Sequence, residues 1–344
     1  MSVPALLGLL GLLGLLACSP AAPKQHLSVP STSTSTSVRA HAKTILSGPP
    51  SPLTGLPTAS GPLNRPALSV KIDNVDQARP QSGVNDADIV FEELVEGGNS
   101  RLFAVYQSHD SPLVGPVRSA RPVDADLLRA LGGGIFAYSG AALGEIAPVK
   151  QHSNAVLVSD DKGSGGFHRD LHRQAPYNLY AATPALYTDV PNAKGSPAPL
   201  FVYGATPPAA AAPATEADVT VGPRATSVWR WNATTQLYER TQNGQPDLLS
   251  DGSLVTASNV VMMSVQIRGT GIIDQAHEED PLVVVIGSGP CWVIRNGVLV
   301  AGQWQRPTLD SPTQLLTAGG TPIALQPGRT WVELVSVPYQ PQFH

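Results

Sequence analysis

Two stretches of this chain carry too few large apolar side chains to build a core, and they set where folded structure can lie. Residues 18–50 contain STSTSTS and scattered prolines. Such a segment cannot bury enough surface to offset its chain entropy. As a flexible coil, roughly 30 residues span on the order of 30 Å, so this stretch reads as a tether. The second, GATPPAAAAPATEA at 204–217, has the same character and reads as an Ala/Pro linker. What remains is a segment at 51–203 and another at 218–340, enough for two domains.

The first segment alternates strands and helices. PALSVKI (66–72), 88–95 and RLFAVYQ (101–107) read as strands, 124–131 as a helix closed by three glycines, and 135–138 and 155–159 as further strands. A short helix is expected near 143–149. After 217 the pattern is almost all β. WRWNATTQLYER gives two strands around a polar turn, VVMMSVQIR and TWVELVSV are β-prone runs, and Asn296-Gly297 in CWVIRNGVLVAGQW marks a hairpin. The expected fold class is α+β: an N-terminal mixed α/β sheet domain followed by a smaller, β-rich C-terminal domain.

At the amino terminus, the apolar run 5–17 is too short to span about 30 Å of hydrocarbon but has the length of a signal-peptide core. No Lys or Arg precedes it. Leu15-Leu16-Ala17-Cys18 resembles a bacterial lipobox. That resemblance implies that 1–17 is a signal peptide and that Cys18 is diacylated and becomes the first mature residue. Two acyl chains anchor firmly, at about 0.8 kcal/mol per buried methylene. The expected location is the extracytoplasmic face of the cell membrane. Cys291 is then left without an intramolecular partner and reads as a buried, inert thiol. A net charge of −4 lacks the basic surplus of a nucleic-acid binder, so no nucleic-acid partner is expected.

FEELVEGGNSR at 91–101 places three carboxylates within six positions. In a strand, Glu92, Leu94 and Glu96 share one face and Phe91, Glu93 and Val95 the other. Glu92 and Glu96 then lie roughly 13 Å apart, too far to hold one metal. A turn centred on Gly98-Asn99 would set Glu96 opposite Arg101 and Glu92 opposite Val105, an ordinary cross-strand charge pair of about 0.2–1 kcal/mol. Glu93, among apolar neighbours, either reaches solvent or is buried against a cation.

VKIDNVDQARPQSGVNDADIVFEELVEGG, then RLFAVYQS, GPVRSARP and RQAPYNLY, resemble the amino-terminal domain of the YerB-like bacterial lipoprotein family. ASNVVMM, WVIRNGVLVAGQW and PGRTWVEL resemble its carboxy-terminal domain. The resemblance covers most of 52–338. It implies two domains of unknown function on a lipid-anchored protein, and it supplies no catalytic residues.

The candidate ligand site is a set of loop cations and amides: Arg79, Gln81 and Ser82 in ARPQSG, and Arg118, Ser119 and Arg121 in VRSARP. Proline restricts both loops, and an Arg fork suits carboxylate or phosphate. Lys71, Asp73, Asn74, Arg101 and Asn178, in the same blocks, complete the set. The expected ligand is an anionic cell-wall polymer or an envelope protein. The competing expectation is that these cations answer Asp73, Asp86, Asp88, Glu92 and Glu96 in an internal network. A wall-directed hydrolase using Asp73, Glu92 or Glu93 as acid or base is the alternative to a non-enzymatic binder. His168 and His172, four apart in FHRDLHR, would share a helix face, but no third ligand stands at matching spacing. No metal and no cofactor are expected. HEED (277–280) reads as an acidic turn, and Trp229, Trp231 and Tyr238 as core packing or an aromatic platform.

Overall fold

Strands from both halves of the chain enter one sheet. The structure is a computed structural model that describes residues 48–59, 63–163, 165–207, 211–273 and 277–344. The leader, Cys18 and most of the tether lie outside the described residues.

The N-terminal segment contributes β1 (Leu68–Asp73), β2 (Ile89–Leu94), β3 (Ser100–Tyr106), α1 (Val123–Ala130), β4 (Gly134–Tyr138), α2 (Leu143–His152) and β5 (Ala155–Ser159). It ends with β6 (Phe167–Arg169), β7 (Leu179–Ala181) and α3 (Thr183–Asp189). The C-terminal segment is strand-rich. Its first part holds β8 (Ala212–Pro213), β9 (Glu216–Gly222), β10 (Ala225–Asn232), β11 (Leu237–Gln242), β12 (Gln245–Pro246) and β13 (Thr256–Ala257). Then come β14 (Asn259–Ile273), β15 (Glu279–Val284), β16 (Gly287–Arg295), β17 (Val298–Arg306), β18 (Gln314–Leu316), β19 (Thr330–Ser336) and β20 (Gln342–Phe343). An N-terminal mixed α/β region is thus followed by a smaller β-rich one.

The main sheet runs β18-β17-β16-β14-β19-β2-β3-β1-β4-β5, with β15 on β14 and β8 on β17. The two segments meet where β19 pairs in parallel with β2, from Thr330 opposite Ile89 to Glu333 opposite Glu92. Ala212–Pro213, inside the Ala/Pro stretch, pairs with β17. A second sheet, β12-β11-β10-β9-β20, carries β13 on β11.

Strand alternation assigns the two faces. Ile89, Phe91, Phe103, Met263, Val332 and Leu334 share a core with Leu127 and Leu128 of α1 and Ile146 and Val149 of α2. Val90, Leu102, Met262, Trp331 and Val335 face Val219, Trp229 and Tyr238 of the second sheet. Central strands covered on both faces read as unbroken apolar runs, as VVMM does. The hairpin at Asn296-Gly297 forms as expected, with φ of 50° and 72°. Its partners run from Arg295–Val298 to Gly287–Arg306.

The turn after β2 departs from expectation. Glu96–Gly98 form a single 3-10 turn, with Gly97 and Gly98 at φ 67° and 75°. The register therefore sets Glu93 opposite Arg101 and Glu92 opposite Leu102, not Glu96 opposite Arg101 and Glu92 opposite Val105. Each residue the turn absorbs shifts the facing pair, which the sequence count could not anticipate. Glu96 still reaches Arg101, at 3.1 Å, from the turn itself.

Of the two readings of the aromatics, core packing holds for Trp229 and Tyr238. Trp229 and Tyr238 are fully buried. Cys291 is buried as expected, and burial pushes its thiol up to about 12.

Candidate functional site

Polar residues on β1, β2 and β3 meet inside the protein because the sheet is covered on both faces. On the helix-bearing face, Lys71 and Glu93 are both fully buried and form an ion pair. The Lys71 ammonium also donates to Asp124 Oδ1 of α1 at 2.7 Å. Burial raises the Glu93 pKa: Lys71 opposes this, and nearby Asp124 adds to it. Next to this pair, Arg121 meets Glu96, Glu145 at 3.3 Å and Asp280 at 3.2 Å. Burial opposes it, but Arg101 and Arg121 hold Glu96 down to about 2. Asp280 is pushed up to about 7 by burial, with Glu145 and Glu96 adding to the effect of its removal from water. HEED is therefore more than an acidic turn, since its last residue enters β15 and is buried against Arg121.

On the opposite face, Glu92 accepts from Arg240, from Ser100 Oγ at 2.7 Å and from Asn74 Nδ2 at 3.0 Å. Arg240 also holds Asp247 and lies 4.7 Å from the centre of the Trp331 ring. Glu333, opposite Glu92 in the sheet, accepts from Trp229 Nε1 at 2.8 Å and Ser227 Oγ at 2.9 Å. Burial, then the neighbouring Glu92 charge, raises its pKa. One cation against several desolvated carboxylates costs more than it gains unless hydrogen bonds complete the set; here they satisfy Glu92, while Asp247 Oδ1, Glu333 Oε2 and Arg240 Nε have no hydrogen-bond partner among the described residues.

The candidate residues thus divide. Lys71, Arg101 and Arg121 are interior and ion-paired; Arg101 also donates to the Ser119 carbonyl at 3.0 Å. Asn74 accepts from Gln81 Nε2 at 2.8 Å, and both are buried. Asp73 is buried and meets Arg118 Nε at 2.7 Å. The Arg118 side chain keeps 25% exposure and lies over the Tyr177 ring at 5.9 Å. Asn178 accepts from Arg169 at 3.1 Å.

Of the set, Arg79 and Ser82 line an open cleft. Its volume is about 580 Å3, and it is lined by Arg79, Pro80, Ser82, Leu113, His168, Asp170, Arg173, Tyr180 and Ser250. Arg79 donates to the Asn74 carbonyl at 3.2 Å and meets Asp76, itself largely exposed, at 3.0 Å. Its Nε is buried and has no hydrogen-bond partner among the described residues. Removal from water lowers the Arg79 pKa, and Asp247 partly restores it. Arg173 donates to the carbonyls of Ala78 and Pro80, each at 2.9 Å, and to the Tyr180 hydroxyl. No carboxylate lies within ion-pair reach of it among the described residues. Ser82 Oγ lies 2.7 Å from Ser250 Oγ, which joins the two segments across the cleft floor.

His168 lies on β6 and stacks on Tyr180 with centroids 6.2 Å apart, while His172 lies beyond that strand. The two are not on a helix, so the shared face that a two-His site needs does not form. Among the described residues no group of three or more His, Cys, Asp or Glu could hold a metal ion. Sequence reasoning missed Arg173, although RQAPYNLY begins with it. It also missed Arg240, Asp247 and Glu333, and read Asp280 only as part of an acidic turn; Arg240 meets Glu92, and Asp280 meets Arg121, across more than 140 residues of chain that no motif links.

The comparisons with known proteins agree with this architecture. Residues 53–196 match the N-terminal domain, and residues 217–332 the C-terminal domain, described as protein of unknown function (DUF3048). The chain belongs to the DUF3048 family. Its relative in Bacillus subtilis strain 168, named "Putative lipoprotein YerB", is 35% identical over 131 residues, which is 38% of this chain and 39% of the relative. That match spans well under half of the relative's length. The crystal structure of YerB protein from Bacillus subtilis superposes with a TM-score of 0.73 at 23% identity, covering 86% of this chain and 99% of that one. That likeness carries the fold: the DUF3048 pair and the YerB architecture are the ones the sequence resemblance implied.

Proposed function

We propose that this DUF3048 protein is a lipid-anchored, extracytoplasmic binding protein, and that its cleft takes an anionic group of a cell-envelope polymer. Two observations support the location: the Bacillus subtilis relative is named a lipoprotein, and this chain carries its own Leu-Leu-Ala-Cys at 15–18. The observation that carries the binding role is the cleft itself. It gathers two guanidiniums, an imidazole and three hydroxyls around a single carboxylate, Asp170. Arg79 lines it with a guanidinium whose buried Nε has no hydrogen-bond partner among the described residues, and a forked guanidinium suits phosphate or carboxylate. Loops carried on a rigid sheet are common places for binding.

The hydrolase reading has less in its favour. Asp73, Glu92 and Glu93 are each buried and each face a cation, whereas an acid or base must reach its substrate.

Purified anionic wall polymer binding to the full chain tests the proposal. Arg79→Gln is expected to weaken it about tenfold, equal to roughly 1.4 kcal/mol, with the unfolding midpoint little changed. Equal binding by wild type and variant would refute it. Crosslinking in intact cells that captures one protein through this cleft, with no polymer retained, would replace the polymer with a protein partner.

A further inference from the structure

A second groove lies away from the arginine cleft, with no lining residue in common, and its two halves differ in chemistry. The first half, about 440 Å3, is lined by Pro199, Leu200, Phe201, Val202, Leu315, Leu316, Pro322 and Ile323, among others. Leu200, Phe201, Leu315 and Ile323 are buried and belong to the main core, so the groove floor is core surface. The second half, about 410 Å3, carries Arg129, Lys194, Ser196 and Asp310. Pro199 and Pro312 line both, so the two halves adjoin. It runs along the seam where the two family segments and the strap between them meet, a common setting for ligand sites.

We propose that this groove binds a single-chain anionic lipid, with its acyl chain in the apolar half and its head at Arg129 and Lys194. Charge complementarity favours this occupant, since two cations face one acid. The Arg129 Nε is buried without a partner among the described residues, and its ion-pair partner Asp310 is 69% exposed. A ligand head can displace such a loosely held partner at small cost.

The backbone argues against a peptide. β18 lies at the end of the main sheet, but its free side is already used. Ile323 N donates to the Leu315 carbonyl at 2.7 Å, and Thr317 N to the Thr321 carbonyl at 2.8 Å. Strand addition needs an open row of such groups. Three lining prolines, Pro199, Pro312 and Pro322, bring no N–H donor. What the apolar half offers is side-chain surface, which suits a hydrocarbon chain.

The test is displacement of a fluorescent fatty-acid analogue by palmitate from the full chain carrying Cys18→Ala, which removes any acyl group at that position. Saturable displacement is expected. Val202→Glu, at an exposed position on the groove wall, should weaken palmitate about tenfold. Arg129→Gln should weaken palmitate similarly but leave hexadecanol, which has no charge, unchanged. Arg79→Gln should bind palmitate as wild type does, so failure here is separable from failure of the cleft. Displacement that Val202→Glu leaves intact would overturn the proposal, as would displacement by a proline-rich peptide and not by palmitate.

Discussion

Arg79 and Arg121 each stand beside a proline in a short loop, yet the fold treats them in opposite ways. The Arg121 loop enters α1, and α2 and the β15 arm close over it, bringing Glu96, Glu145 and Asp280 to one guanidinium that is 4% exposed. The Arg79 loop lines the cleft beside Asp170, Arg173 and Ser250, and its ion-pair partner among the described residues is Asp76, at the surface. An arginine-proline pair therefore does not specify binding. What decides is how many layers cover the loop and how many carboxylates they carry.

The comparison breaks most readily at Arg121. Arg121→Met is expected to lower the unfolding free energy by about 3–5 kcal/mol, because it leaves buried carboxylates without their cation. Urea denaturation measures this. A loss near zero would mean that the cluster is wetter than its burial shows.

The same cluster predicts a pH signature of moderate size. Asp280 has a folded pKa of about 7, above its usual range, and Glu93 and Glu333 are raised in the same direction. A raised carboxylate contributes stability below its unfolded pKa and loses it as pH rises through the folded value. Stability should therefore fall from about pH 4, near the unfolded carboxylate values, to about pH 8. Glu96, held to about 2, works in the opposite sense. Its contribution is present above its unfolded pKa and is lost as pH falls toward 2. The two together place the optimum near pH 4, and Asp280→Asn should flatten the fall on the alkaline side. A profile unchanged by Asp280→Asn would remove Asp280 from the explanation.

Several elements were legible in the sequence because local rules decide them. β5 and the Asn296-Gly297 hairpin follow from β-branched runs and a turn dipeptide that tolerates positive φ. The burial of Glu93 against a cation was one of two readings left open by its apolar neighbours. Its partner Lys71 was named only as a ligand candidate, because nothing in VKIDN shows which side of β1 faces α1. The parallel pairing of β19 with β2 joins residues more than 200 positions apart in the chain, and no local pattern carries that. The cleft shows the same limit. Arg79 and Ser82 were legible in ARPQSG, but Ser250 arrives from the other segment through a backbone bond from its N–H to the Gln81 carbonyl.

The most direct test sets Arg79→Gln beside Arg121→Gln, each measured for urea midpoint and for binding to purified anionic wall polymer. The account predicts that Arg79→Gln changes stability by less than about 1 kcal/mol while binding falls about tenfold, and that Arg121→Gln chiefly loses stability. An Arg79→Gln protein that is destabilised as much as Arg121→Gln, yet binds normally once folded, would contradict it.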